Sequence, residues 1–322
     1  MYLFLTFAEK FGKSMEIQKT TERPALSAIL IIIGLVLIGM VIGNILAAVE
    51  IIKVGGIDFK DLDNMNQAFV ALSESPNGWL SLVLAQGCVA LITFIGAGLF
   101  YWNIIEKRRF SDLNFKPLPQ VYIFLYVILI EIVLLPFNSW IQAINEKMNL
   151  PSFMKSIEDA IRAKEDELAE MTKYLTNFNS IGELIIAIIV IAVIAGIGEE
   201  LIFRGLIQRK LLLGLKNIHL AIWGAAFIFS FIHFQFYGFL PRLFLGALFG
   251  YFYYWTGNLW IPIAAHIFNN AFAVIMMYLI HLKKVSPEIE KMDTLPLPYI
   301  LLSVVFGAGM LLYFNKLTEK ES

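Results

Sequence analysis

Apolar positions in this chain fall into long unbroken runs, with the polar residues gathered into short connections between them. Eight runs stand out: Ala25–Val49, Trp79–Trp102, Tyr122–Ile144, Ile181–Gln208, Ile218–Gln235, Phe239–Trp255, Leu259–Ile280 and Pro298–Phe314. A helix needs about 20 mostly apolar residues to cross the hydrocarbon core of a bilayer. A helix also satisfies its own backbone hydrogen bonds there, where no water is available to do so. The pattern therefore predicts an all-α polytopic membrane helix bundle of about eight transmembrane helices, forming a single integral membrane domain over residues 1–322. No internal repeat is visible, and the connections leave no room for a soluble domain.

One connection has a different pattern. Between the third and fourth runs, Met154, Ile157, Ile161, Leu168, Met171 and Leu175 recur at helical spacings within a charged segment. They form one apolar stripe. This predicts an extra amphipathic helix in the loop near 151–175, read as a solvated spacer or membrane-surface helix in preference to a substrate gate.

Composition agrees with the pattern. The chain is 58% hydrophobic and 16% charged, with a net charge of −1 and a mean hydropathy of +0.72. Soluble domains run at about 45–50% apolar and about 25% charged. No basic excess points to nucleic acid, so the lipid bilayer is the expected environment and no nucleic-acid partner is expected. The single cysteine, Cys88, rules out a disulfide framework or a thiolate metal site. No cleavable signal peptide is expected, because Met1–Phe11 is followed by Gly12 and Lys13 without a small-residue cleavage pattern, and Met15 offers a second start.

Charge in the connections predicts orientation. Lys10, Lys13, Lys19 and Arg23 precede the first run. Lys107, Arg108, Arg109 and Lys116 follow the second, and Arg209, Lys210 and Lys216 follow the fourth. The alternate connections are acidic or mixed, with Asp58, Asp61, Asp63 and Glu74 in one and Glu158, Asp159, Glu165, Asp166, Glu167 and Glu170 in another. The positive-inside rule then puts both termini in the cytoplasm and the protein in the cell (plasma or inner) membrane.

The fourth run carries the first chemistry. Glu199, Glu200 and Arg204 interrupt it. On insertion scales each charge at a helix centre costs about 2.5–3.5 kcal/mol, so such groups are paired, hydrated or near the end of the span. Glu200 and Arg204, spaced i and i+4, share a helix face and can pair. Glu199 points about 100° away and is left free, as a general base must be. His233 lies at the end of the fifth run, in Phe229-Ser230-Phe231-Ile232-His233. His266 and Asn270 share one face of the seventh. Each taken singly also fits polar glue between membrane helices. Together they make a water-activating carboxylate and imidazole, with donors for an oxyanion. Asn269 is expected to pack or cap locally. Glu131, inside the third run, is expected to be hydrogen-bonded within the bundle and is given no catalytic role.

Glu199-Glu200…Arg204, Phe229…His233 and His266…Asn270 match, in order and spacing, the EExxxR, FxxxH and HxxxN motifs of the CPBP intramembrane protease family. The chain resembles this family, also called Abi, which includes the type II CAAX prenyl endopeptidases. The resemblance covers a protease core at 181–281. It implies an intramembrane endopeptidase in which Glu199, assisted by His233, activates water, His266 and Asn270 stabilise the oxyanion, and Glu200 and Arg204 brace the helix. The implied partner is a peptide or membrane-protein substrate, lipidated or not, met at a site opening toward the cytoplasm. No cofactor enters the preferred mechanism. A zinc-dependent version would use Glu199, His233 and His266 as ligands to Zn2+, although no HExxH is present. A proton-coupled transporter and a non-catalytic binding or immunity protein are the competing readings.

Overall fold

A computed structural model describes residues 22–56, 65–178, 180–286 and 295–320, and the regular structure within them is helical throughout. Lys10, Lys13, Lys19, the alternative starts Met1 and Met15, and Asp58, Asp61 and Asp63 lie outside the described residues. Six helices are long and apolar enough to cross a membrane: α1 (Ala25–Gly55), α3 (Gly78–Ile105), α4 (Val121–Glu146), α6 (Ile181–Leu215), α9 (Trp260–His281) and α10 (Leu297–Glu319). Their outward faces carry exposed Leu30, Val41, Leu125 and Val305, as helices bathed in lipid require. The protein is a multi-pass membrane protein.

The other two predicted spans differ from expectation. The helix α7 (Ile218–Phe231) has 14 residues, so at 1.5 Å per residue it reaches only about 21 Å. It stops because Phe234 takes a left-handed conformation, at φ 51°, and a 3₁₀ turn follows at Phe236–Gly238. Helix α8 (Phe239–Thr256) is longer, but Arg242 in its first turn and three tyrosines lower its hydropathy below that of the six. These two short helices form a tight hairpin in the middle of the bundle. Gly246 of α8 lies so close to α7 that a Cβ there would sit 3.1 Å from the Ala226 Cβ. Small residues permit such close approach in membranes.

Helix α6 is the axis of the fold. Ser180 and Glu183 form a capping box at its start, which satisfies amide groups that would otherwise be stranded. Its lower half, Leu201–Lys210, is buried throughout against Trp102, Leu113, Phe229 and Tyr253. Helices α3, α7 and α9 pack around it, while α4 packs on α8, α9 and α10. At one end of the bundle the basic connections meet in a buried ion-pair network. Glu22 accepts from Arg209 at 2.5 Å and from Lys210 at 2.9 Å, and Lys210 also reaches Glu106 at 2.8 Å.

At the opposite end lie α2 (Met65–Glu74) and α5 (Lys155–Leu175). Helix α5 is the predicted amphipathic helix, and it is anchored to the bundle as well as solvated. Trp79 donates to the Leu175 carbonyl at 2.9 Å, the Tyr237 amide donates to Glu165 at 3.1 Å, and the Arg162 guanidinium lies 4.0 Å from the centre of the Tyr237 ring. The Arg162 hydrogen bond holds the Glu158 carboxyl below the usual carboxylate range, with help from Lys155 and the Leu150 amide.

Candidate active site

Two turns of α6 and two of α9 supply the central groups. Glu200 is fully buried and accepts from Arg204 one turn later, as the i, i+4 spacing requires. The Arg204 guanidinium also donates to the Gly246 carbonyl of α8 at 2.9 Å and packs over the rings of Phe229 and Phe249, at 4.9 and 5.5 Å. A cation inside the bundle is thus matched by one carboxylate, one carbonyl and two π faces.

Glu200 has a further partner that its spacing from Arg204 does not reveal. Its Oε1 lies 2.8 Å from His266 Nδ1. The other ring nitrogen, Nε2, faces Glu199 Oε2 at 3.6 Å. The imidazole is therefore held between the two adjacent carboxylates, one fully buried and one with its side chain 13% exposed. Phe229 and Phe249 flank the same ring, at 6.0 and 5.4 Å between centroids.

His233 Nδ1 lies 2.7 Å from the Phe229 carbonyl. A carbonyl can only accept, so Nδ1 carries the proton and the neutral ring leaves Nε2 with a lone pair. His233 is within electrostatic reach of both Glu199 and His266. Asn270 donates to the Ile191 carbonyl of α6 at 3.1 Å and accepts from Asn269 at 3.2 Å. Its amide orientation is thereby set, with one N–H to spare. Asn269 packs locally as expected, on its neighbour.

Glu131 departs from expectation. It is buried, yet neither carboxylate oxygen finds a hydrogen-bond partner among the described residues. It lines a small enclosed pocket with Asn138 and Asn269, and the remaining walls are leucine and phenylalanine.

Among the described residues no group of three or more His, Cys, Asp or Glu side chains is gathered to hold a metal ion. The Nδ1 atoms of both histidines are engaged, by a carboxylate and a carbonyl, which leaves the Nε2 atom of each ring available to the site.

On the basic side, Leu201–Lys210 closes the bundle completely. On the other side an open cavity of about 1410 Å³ extends under α5, and its floor includes Gln235, Gly238 and Arg242, which follow His233 in the chain. Arg242 had escaped the sequence reading. A lone charge in the first turn of an otherwise apolar helix is the signal that points to it.

Residues 181–272 match the family model described as type II CAAX prenyl endopeptidase Rce1-like. The Rce1-like segment contains Glu199, Glu200, Arg204, His233, His266 and Asn270, and the similarity supports a protease. Among curated proteins, the uncharacterized protein YpbD of Bacillus subtilis (strain 168) is 29% identical over 101 residues, covering 30% of this chain and 49% of YpbD. The chain thus matches just under half the length of that curated relative. No solved structure matches it.

Proposed function

We propose that the protein is an intramembrane endopeptidase that hydrolyses a peptide bond of a peptide or membrane-protein substrate with water, without a metal. The observation that carries this reading is the seating of His266 between Glu199 and Glu200. It makes two adjacent carboxylates unequal. Glu200 is spent on Arg204 and His266, while Glu199 stays free at the edge of the site.

The chemistry follows from the free atoms. Water placed between Glu199 and the bare Nε2 of His233 loses a proton to the carboxylate as its oxygen attacks the peptide carbonyl. The tetrahedral oxyanion takes hydrogen bonds from Asn270, through its spare N–H, and from His266 acting as an imidazolium, which donates Nδ1–H to Glu200 and Nε2–H to the oxyanion. The proton held at Glu199 then passes to the leaving amine. Glu200 and Arg204 keep their charges throughout and fix the imidazole. The protein is placed in the cell membrane with both termini cytoplasmic.

Quantitative terminal proteomics on membranes expressing wild-type protein or Glu199→Gln, at equal expression, tests the reading. New termini found only with the wild type support it and name the substrate, whereas identical termini overturn it. Purified active protein is expected to contain no stoichiometric zinc and to keep its activity after chelation, checked by elemental analysis and assay.

A further inference from the structure

The floor of the outer cavity carries a cation that the proposed chemistry does not use. Arg242 donates through Nη1 to the Gln235 side chain at 2.7 Å and through Nη2 to the Gln235 carbonyl at 2.8 Å. Both acceptors are neutral. Among the described residues no carboxylate forms an ion pair with Arg242, although Glu165 and Glu199 lie within electrostatic reach. The guanidinium rests flat on Gly238, where an added Cβ would sit 2.9 Å from both Nη atoms. A guanidinium carries five N–H donors, so three remain after these two bonds. The side chain is held in a defined pose, still charged, on the surface of the cavity.

The rest of the cavity makes that charge selective. Its α5 side presents Glu165, Asp166 and Glu170, and the end of α4 presents Glu146. Glu165 is occupied by the Tyr237 amide. Asp166, Glu170 and Glu146 are exposed carboxylates that disfavour an anion along the roof, where Arg162 is paired with Glu158 and Lys173 is a further cation. A negative group entering the cavity meets an excess of carboxylates on α5 and α4, Lys173 apart, and is accepted at Arg242, where planar two-donor recognition of a carboxylate is available.

We propose that Arg242 is a specificity-determining residue that binds a carboxylate of the substrate peptide, either an acidic side chain or the free C-terminus, and so sets which bond reaches Glu199. This rests on the protease reading, and its test is built to separate the two. Matched apolar peptides are prepared with a free terminal carboxylate, with a terminal amide, and with an amide terminus plus one interior glutamate or glutamine. Cleavage is followed by mass spectrometry with full-length protein in nanodiscs, and binding is measured on the Glu199→Gln protein by fluorescence anisotropy.

The expected result is a preference for carboxylate peptides over their neutral partners on the order of tenfold or more, expressed in KM, the scale of a charge-assisted pair. The scissile bond should shift when the carboxylate is shifted along the peptide. Arg242→Gln should erase the preference while still cutting neutral peptides, Arg242→Lys should retain part of it, and Gly238→Ala should weaken it by displacing the guanidinium. Which peptides are preferred tells a terminal carboxylate from a side chain. Equal cleavage of all peptides by the wild type, or a preference that survives in a folded Arg242→Gln protein, overturns the Arg242 site and leaves the protease standing. Arg242-dependent binding without any cleavage supports the site and removes the protease. Neither binding preference nor cleavage removes both.

Discussion

Glu199 and Glu200 are neighbours in the chain and opposites in their surroundings, so substitution should separate them. Glu200→Ala strands the buried Arg204 charge, and removing one partner of a buried ion pair typically costs about 3–5 kcal/mol. Unfolding of the variant in detergent should show a loss of that size, whereas Glu199→Gln should fold like the wild type and lose turnover. A Glu200→Ala protein as stable as the wild type would deny the pair its bracing role. Asn270→Ala should lower turnover on the order of 10²–10³ with the fold intact. Undiminished cleavage by that variant takes Asn270 out of the mechanism. At this scale the sequence was legible where partners are local. The Glu200–Arg204 pair follows from a spacing of four. The Glu200–His266 contact joins residues 66 apart on different helices, and no helical periodicity encodes which helices meet.

Among the elements, α5 ties itself to the site-bearing connection through charged groups, and that makes its docking sensitive to acid. Glu158 in the docked state has a carboxyl below its ordinary value, chiefly because Arg162 donates to it. The undocked segment then binds more protons in the window beneath the ordinary carboxylate range. Docking is complete above that range and weakens as pH falls through it. Hydrogen exchange of residues 155–175 should accelerate as acid is added, and Glu158→Gln should remove most of the pH dependence. A flat exchange profile in the wild type would dissociate the ion pair from docking. The apolar stripe of α5 was readable, yet its anchorage was not, since Tyr237 and Trp79 are supplied by distant segments. The end of α7 was misread for a related reason. Ile232, Phe234 and Phe236 prolong the apolar run, and hydropathy does not register the left-handed turn at Phe234.

For the whole molecule, the hydrophobic pattern was enough to predict a helical membrane protein, and it overstated the number of long spans, because the arms of a hairpin buried in a bundle are apolar without being long or apolar enough to cross lipid. Orientation can be checked with single cysteines in a Cys88→Ala background. Glu167→Cys on α5 should react with an impermeant reagent in intact cells, and Arg109→Cys only after permeabilisation. The reverse pattern would invert the proposed topology. The closed stretch Leu201–Lys210 has one further consequence. If the protein is the protease proposed above, this buried stretch below Glu199 leaves no path for a polypeptide to be threaded from one side of the membrane to the other. Both fragments of a severed chain must back out on the side, or into the lipid, from which the intact chain arrived. A protease so built would trim in place, and any fragment needed across the membrane would have to be carried there by another machine.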